Sequence, residues 1–125
     1  MKQEIKTILA PAAIGSYSQA IKSEKIVYLS GQIPLNQNTM IIVDGGIKPQ
    51  IIQVFKNLKA VAESSGAGLN SILKLTVYLT DILHLEYINE IMPDFFDEPY
   101  PARTSIVVTA LPKAAMIEVD AILTL

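Results

Sequence analysis

The sequence has 125 residues, half of them hydrophobic (50%), and a formal net charge of −2; it fits one domain, residues 1–125, able to bury a core without disulfides or metal. The acidic balance and the absence of a basic run argue against non-specific nucleic-acid binding. The absence of cysteine excludes thiolate catalysis and sulfur-ligated metal, and a single histidine, His84, argues against a zinc site.

The high apolar content does not predict a membrane span. The longest charge-free stretch, residues 26–43, is interrupted by polar residues and Pro34, whereas a spanning helix needs about 20 mostly apolar residues. The N-terminus carries Glu4 and its apolar patch is broken by Pro11, so it is a poor signal peptide. A subunit interface is therefore the expected place for the surplus apolar surface.

The first half of the chain predicts a loop, strands and a helix. Pro11 and Gly15 indicate a loop, "KIVYLSG" a strand that ends at Gly31, and Met40–Val43 a further short strand. Apolar residues at helical spacing then predict an amphipathic helix over about residues 48–65, with a proline in its first turn and a glycine closing it: Pro49, Ile51, Phe55, Leu58, Ala62, Gly66.

The second half predicts a strand, a helix and two further strands. "SILKLTVYLTD" alternates, with four leucine and valine side chains on one face: Leu73, Leu75, Val77, Leu79. A helical pattern begins at Asp81, with His84 in a structural role near its start, and the last strands are "RTSIVVTAL" and "AMIEVDAILTL". This order predicts an α+β fold in which a mixed β-sheet carries two helices packed on one face.

The opposite face of this sheet is predicted to be half polar. In the last strand Glu118 and Asp120 alternate with apolar residues. Strand parity groups Arg103 and Ser105 with Tyr78 on the same face. A mixed face of this kind suits a subunit interface better than bulk solvent.

Arg103 is the only arginine in the chain and follows the stiff segment Pro99–Pro101. A guanidinium is planar, always charged, and offers two parallel donors to a carboxylate. From the residues alone it is either a clamp for an anionic ligand or half of a salt bridge, with Glu118 as the obvious partner.

Four other positions have both a chemical and a structural interpretation. Glu118 among apolar neighbours is a general acid with a raised pKa, a holder of water, or the polar side of an alternating strand. Ser30 and Gly31 offer a hydroxyl and an amide at a strand end, or a turn. Tyr17 is an aromatic lid or a packing residue.

Six segments together resemble, in order and spacing, the reactive intermediate deaminase A family, also called the RidA or YjgF family. They span about Ala10 to Ile122: "APAAIGSYSQA", "VYLSGQIPL", "NLKAVAESSGAGLNSILKLTVYLTD", "INEIMPDFF", "EPYPARTSI" and "LPKAAMIEVDAI". The resemblance implies a chorismate-mutase-like fold and a cytoplasmic homotrimer with its sheets facing the trimer centre and its sites in clefts between subunits.

The resemblance also implies a chemistry. It implies hydrolysis of reactive enamine and imine acids (2-aminoacrylate, 2-iminopropanoate, 2-iminobutanoate) to 2-keto acids and ammonia, without a cofactor or metal. These intermediates come from pyridoxal-phosphate-dependent serine and threonine dehydratases, and removing them protects against damage.

The same resemblance assigns roles to residues. Arg103 matches the arginine that binds the substrate carboxylate, and Glu118 the glutamate that positions or activates water. Tyr17, Ser30, Gly31 and Asn89 match other pocket positions. The chain departs from the family at Ser16, usually proline, at Ser105, a pocket position that is often cysteine, and at Pro93, which is expected to bend the second helix near Asn89.

Two other functions are alternatives to the deaminase. A non-catalytic module that binds a keto acid or amino acid needs the same arginine and the same cleft. Some family members are described as ribonucleases or translation inhibitors, but the acidic balance and the single arginine argue against RNA binding here.

Overall fold

The computed structural model describes all residues, Met1–Leu125, and shows a six-stranded mixed sheet in the order β1-β2-β3-β6-β4-β5. The strands are β1 (Lys2–Ile5), β2 (Ala20–Ser23), β3 (Ile26–Gln32), β4 (Ile72–Leu79), β5 (Ala102–Val107) and β6 (Ile117–Thr124). Neighbouring strands are antiparallel except β4 and β5, which are parallel. The predicted α+β fold with a mixed sheet is confirmed.

The sequence pattern did not reveal β1 or β2. Each has only four residues, and β1 is mostly exposed at the sheet edge. The β2–β3 hairpin turns at Glu24, which adopts a left-handed φ of 56°. Because glycine and asparagine are the usual residues at such a turn, the sequence lacks the ordinary hairpin signal there.

The strand predicted at Met40–Val43 is wrong. Only one isolated bridge forms, between Leu35 and Ile42. The side-chain oxygen of Asn36 accepts hydrogen bonds from the backbone nitrogens of Asn38 and Thr39, at 2.8 and 3.1 Å. These bonds stabilise a tight turn, which leaves too few residues to form a ladder.

The first helix, α1 (Ile47–Ser64), confirms the predicted one. Gly66 has a φ of +94°. Its N–H donates to the Glu63 carbonyl, and the Ala67 N–H donates to the Ala62 carbonyl, the pattern of a Schellman cap. The apolar stripe of α1 is buried against β3 and β6.

The second helix, α2 (Leu85–Phe95), follows a single 3-10 turn, Ile82–His84. The carboxylate of Asp81 caps this turn by accepting a hydrogen bond from Leu83 N at 2.9 Å. The helical region therefore begins at Asp81 as predicted, although the α-helix itself starts at Leu85. The helix continues through Pro93, so the proline does not end it.

The core lies between the helices and one face of the sheet. Phe55 is its largest fully buried side chain and packs against Phe95 and Phe96, each with a ring-centroid distance of 5.4 Å. The predicted inward face of β4 is confirmed at Leu75, Val77 and Leu79, which are 0% exposed, but wrong at Leu73, which is 51% exposed.

A shift in register between Ile72 and Lys74 explains the outward position of Leu73. The irregularity turns Ile72 into the core in its place, because one extra residue changes the face on which side chains emerge.

Neither helix has the length and apolar character that a membrane span requires.

Candidate active site

Arg103 lies on the helix-covered face of the sheet, and its predicted place on the open face is wrong. In the parallel β4–β5 ladder Arg103 pairs with Leu75, a core residue, and Ser105 pairs with Val77. Paired residues emerge on the same side of a sheet. Arg103 and Ser105 therefore project towards α2, away from Tyr78.

The guanidinium of Arg103 has no carboxylate partner. Its only hydrogen bond in the chain runs from Nη1 to the thioether sulfur of Met92 on α2, at 3.2 Å. The one ion pair of the chain joins Lys48 and Glu90 elsewhere on the surface. The salt bridge to Glu118 considered as an alternative does not form within the chain, and the positive charge of Arg103 remains unneutralised.

The guanidinium borders a cleft of about 360 Å³ between α2 and the segment that leads into β5, lined by Asn89, Met92, Pro93, Tyr100, Pro101 and Arg103. Pro93 has no N–H to donate to the backbone carbonyl of Asn89 four residues earlier. On β5, two residues after Arg103, the hydroxyl oxygen of Ser105 is buried and has no hydrogen-bond partner within the chain. The cleft thus combines an unpaired cation with polar groups and apolar walls.

Glu118 lies on the opposite, open face of the sheet. It pairs with Tyr78 across the β4–β6 ladder, and its neighbours Ile117 and Val119 point into the core. Gly31 of β3 lies directly against its carboxylate, and a Cβ atom at that glycine would collide with Glu118 Oε2. Glycine is therefore needed here for close approach.

Two physical effects raise the pKa of Glu118. Partial burial disfavours the charged carboxylate, and the negative charge of Asp120 adds a smaller contribution in the same direction. Such a group keeps its proton to higher pH than an exposed glutamate does. This is the property that a general acid requires.

Asp120 and Tyr78 form a pair beside Glu118. The Tyr78 hydroxyl donates a hydrogen bond to Asp120 Oδ2 at 2.9 Å. This bond, burial and the carboxylate charges raise the pKa of Tyr78. Strand parity predicts both residues on the open face but assigns them no role; the shared parity of Glu118 and Asp120 is the signal in the sequence that links them.

Tyr17 and Gly31 line a second cleft, of about 370 Å³, with residues from the end of β3, from the loop that follows it and from the N-terminal loop, among them Gln32, Met40 and Ile14. The Tyr17 hydroxyl accepts a hydrogen bond from the Ile14 backbone N–H at 3.4 Å. The Ser30 hydroxyl donates to the Ser18 carbonyl at 2.6 Å. Ser30 therefore tethers the loop that carries Tyr17.

Gln19 also holds this loop, although nothing in the sequence predicts a role for it. Its side chain is buried; its oxygen accepts a hydrogen bond from Thr7 N at 2.7 Å, and its nitrogen donates to the carbonyls of Thr7 and Pro11. No pattern in the sequence distinguishes this glutamine, because its partners are backbone atoms that only the fold brings near.

One chain therefore presents the candidate residues as two groups. The first, with the unpaired cation, comprises Arg103, Ser105 and Asn89. The second comprises Glu118, Gly31, Tyr17 and Ser30. Arg103 and Glu118 emerge on opposite faces of the sheet, so they do not share a pocket within one chain.

Comparisons with known proteins agree on one family. Residues 7–125 match the family model described as "Endoribonuclease L-PSP". The chain is 45% identical over 122 residues to a RutC family protein of Pyrococcus horikoshii, covering 98% of this chain and 97% of that protein. It is 42% identical over 121 residues to the 2-iminobutanoate/2-iminopropanoate deaminase of Dermatophagoides farinae, covering 97% and 95%.

Solved structures give the same result. The crystal structure of RidA from an Antarctic Psychrobacter bacterium superposes with a TM-score of 0.95 at 44% identity, covering 98% of this chain and 99% of the other. Escherichia coli TdcF with bound serine superposes with a TM-score of 0.93 at 36% identity, covering 98% of each chain. This chain belongs to the endoribonuclease L-PSP family, the family of the RidA proteins.

Proposed function

We propose that this protein hydrolyses reactive enamine and imine acids to 2-keto acids and ammonia, in clefts between the subunits of a homotrimer. The observation that carries the proposal is the unpaired guanidinium of Arg103, whose only hydrogen bond within the chain is to a neutral group. An unneutralised arginine in a cleft is suited to bind a small carboxylate. Relatives named 2-iminobutanoate/2-iminopropanoate deaminase support the choice of substrate.

The separation of the two groups of residues on one chain supports a shared site. Arg103 is on edge strand β5, whereas Glu118 and Gly31 are on the open face. That face also exposes apolar side chains, among them Tyr28, 51% exposed, and Ile106, 43% exposed. In the proposed trimer a second subunit covers this face, buries the apolar surface and brings its Arg103 group next to the Glu118 group.

The proposed reaction requires three actions of the protein. Arg103 binds the substrate carboxylate and orients the C=N bond. Glu118, whose pKa is raised, donates a proton to the imine nitrogen. Its carboxylate then orients a water, takes a proton from it as the oxygen attacks the carbon, and returns that proton to the amine nitrogen. The hydroxyl proton of the adduct restores the acid when ammonia leaves. The tetrahedral adduct then loses ammonia and forms the keto acid, and much of the acceleration comes from positioning.

The proposed substrates come from pyridoxal-phosphate-dependent serine and threonine dehydratases, and the protein itself would use no cofactor. The test is to add the protein to such a dehydratase and to follow keto acid release. We expect release to accelerate in proportion to the protein added. An unchanged rate, with dehydratase turnover not limiting, would contradict the proposal.

A second candidate is a binding module for a small amino or keto acid, because TdcF was crystallised with serine bound. Glu118→Gln separates the two functions: it keeps the size of the side chain but removes its acid. Retained ligand binding with lost turnover favours the enzyme. Equal ligand binding in both proteins with no turnover in either favours the binding module.

A further inference from the structure

The side chain that contacts Arg103 is an unusual partner for an arginine. Met92 is 5% exposed and belongs to the hydrophobic core, and its sulfur accepts the hydrogen bond from Arg103 Nη1 at 3.2 Å. The next residue is Pro93, within α2. The core packing of α2 therefore determines where this sulfur lies.

A thioether and a carboxylate act differently on a guanidinium. A carboxylate binds it strongly, neutralises its charge and competes with any anionic ligand. A thioether is a weak, neutral acceptor. It can orient one Nη group while the charge and the remaining N–H donors stay available to a ligand.

Arg103 has few other constraints. It lies on an edge strand, its side chain is only partly buried, and no other side chain hydrogen-bonds to it. Because an arginine side chain loses rotamer entropy when it is ordered, a ligand that had to immobilise Arg103 alone would bind more weakly. A contact formed before the ligand arrives reduces that loss.

We propose that Met92 is a positioning residue for Arg103: its buried sulfur holds the guanidinium at the edge of the cleft without neutralising it. The helix that carries Asn89 thereby also orients the cation contributed by β5. The part of this proposal that concerns the ligand rests on the function proposed above, whereas the part that concerns the orientation of Arg103 does not.

Two variants separate hydrogen bonding from packing. Met92→Leu keeps a similar apolar volume and removes the acceptor. Met92→Gln keeps an unbranched side chain and supplies an amide oxygen as acceptor. Because Arg103 is the only arginine, the arginine Nε–H signal in an NMR spectrum arises from this residue alone.

We expect the order parameter of the Arg103 Nε–H to fall in Met92→Leu and to recover in Met92→Gln. In kinetics, KM should rise about three- to tenfold in Met92→Leu, as expected for a lost weak hydrogen bond, with kcat nearly unchanged. Unchanged order parameters in Met92→Leu, or equal losses in both variants, would overturn the proposal.

A titration with pyruvate, a small 2-keto acid, distinguishes this proposal from the proposed function. We expect pyruvate to shift the Nε–H signal of the unmodified protein, and to do so at higher concentration in Met92→Leu. No shift in the unmodified protein would overturn the carboxylate clamp, while the order parameters would still decide whether Met92 positions Arg103.

Discussion

Arg103 combines a common residue type with an uncommon environment. An arginine beside apolar strands usually has a carboxylate partner, because an unpaired charge is costly to remove from water. Here the side chain is partly buried, its one hydrogen bond within the chain is to a thioether, and it borders an open cleft. The cost of leaving the charge unpaired is tolerable because solvent reaches it, and the charge stays available to an anion.

Replacing Arg103 by lysine tests the geometry of the clamp separately from its charge. A lysine keeps the positive charge but cannot form two parallel hydrogen bonds. We expect kcat/KM for the imine acid to fall about 10- to 100-fold, the range for loss of a charge-assisted bidentate contact. Lys48→Ala removes an exposed charge that does not line the cleft and should leave kcat/KM unchanged; retained activity in Arg103→Lys would contradict the bidentate clamp.

Gly31 provides a second test at a single residue. In Gly31→Ala the added Cβ must displace the Glu118 carboxylate. Because that carboxylate is the end of a flexible side chain, we expect the free energy of unfolding to fall by less than about 2 kcal/mol, whereas turnover should fall strongly. Thermal unfolding and kinetics measure the two effects.

Gly68→Ala is the matched control for Gly31→Ala. A Cβ at Gly68 meets nothing within 4 Å, and its φ of −162° is extended backbone. We expect this variant to keep both its stability and its activity. If Gly31→Ala is as active as Gly68→Ala, Glu118 does not need its present position for turnover.

At the scale of the element, β6 places two carboxylates on one face with a spacing of two residues. Glu118 and Asp120 both emerge on the open face, while the residues between and beside them are buried in the core. Glu118 is faced by Gly31 from β3, by Tyr78 from β4 and by Asp120 on its own strand. Partial burial, and to a smaller extent the negative charge of Asp120, raise the pKa of Glu118 in this setting.

Asp120→Asn should lower the pKa of Glu118. The substitution removes the negative charge that contributes to the shift, while the amide oxygen can still accept the hydrogen bond from Tyr78. If protonated Glu118 is the general acid, activity is lost as the pH rises through its pKa. We therefore expect the high-pH limb of kcat against pH to move to lower pH.

Tyr78→Phe is the control for Asp120→Asn. It removes the hydrogen bond at 2.9 Å but keeps the charge of Asp120, so the limb should not move to lower pH. If the high-pH limb of kcat is the same in the unmodified protein and in Asp120→Asn, the Asp120 carboxylate does not influence the pKa of Glu118.

The raised pKa of Glu118 also affects stability. In the folded state the group binds its proton more tightly than in the unfolded state, so protonation favours folding. The stabilising contribution is complete below the ordinary pKa of glutamate and is lost as the pH rises through the raised value. Glu118→Gln removes this dependence, so the stability difference between variant and unmodified protein should change over that window.

At the scale of the whole molecule, the proposed site needs two chains. Arg103 and Glu118 emerge on opposite faces of one sheet, and neither of the two clefts is lined by both. The apolar side chains on the open face and the exposed edge strand β5 give a second copy a surface to cover. Site and assembly are therefore linked in this proposal.

Mixing two inactive variants tests the shared site. Arg103→Ala and Glu118→Ala each remove one half. Subunits refolded together in equal amounts should recover about one quarter of the unmodified activity, because one site in four then combines two intact halves in a cyclic assembly. If sedimentation shows that mixed trimers have formed but no activity is recovered, both residues act within one chain.

The sequence by itself determined the elements with a strong period and clear ends. The α1 stripe with its Gly66 cap, the alternation of β4 from Leu75 onward and that of β6 are local patterns, and each appears in the structure. The same patterns were sufficient for the α+β fold class. The short strands β1 and β2 could not be predicted, because four residues and a turn without glycine give too little local signal.

Only the tertiary structure decided which face carries Arg103. Strand parity groups residues within a strand, but the face depends on how β5 is aligned with β4, and a shift of one residue exchanges the faces. That alignment follows from the crossover through α2 and the Pro99–Pro101 segment, whose path the local pattern does not specify. The partner of Arg103, its distance from Glu118 and the fit of Gly31 against that carboxylate arise from contacts between residues far apart in the chain.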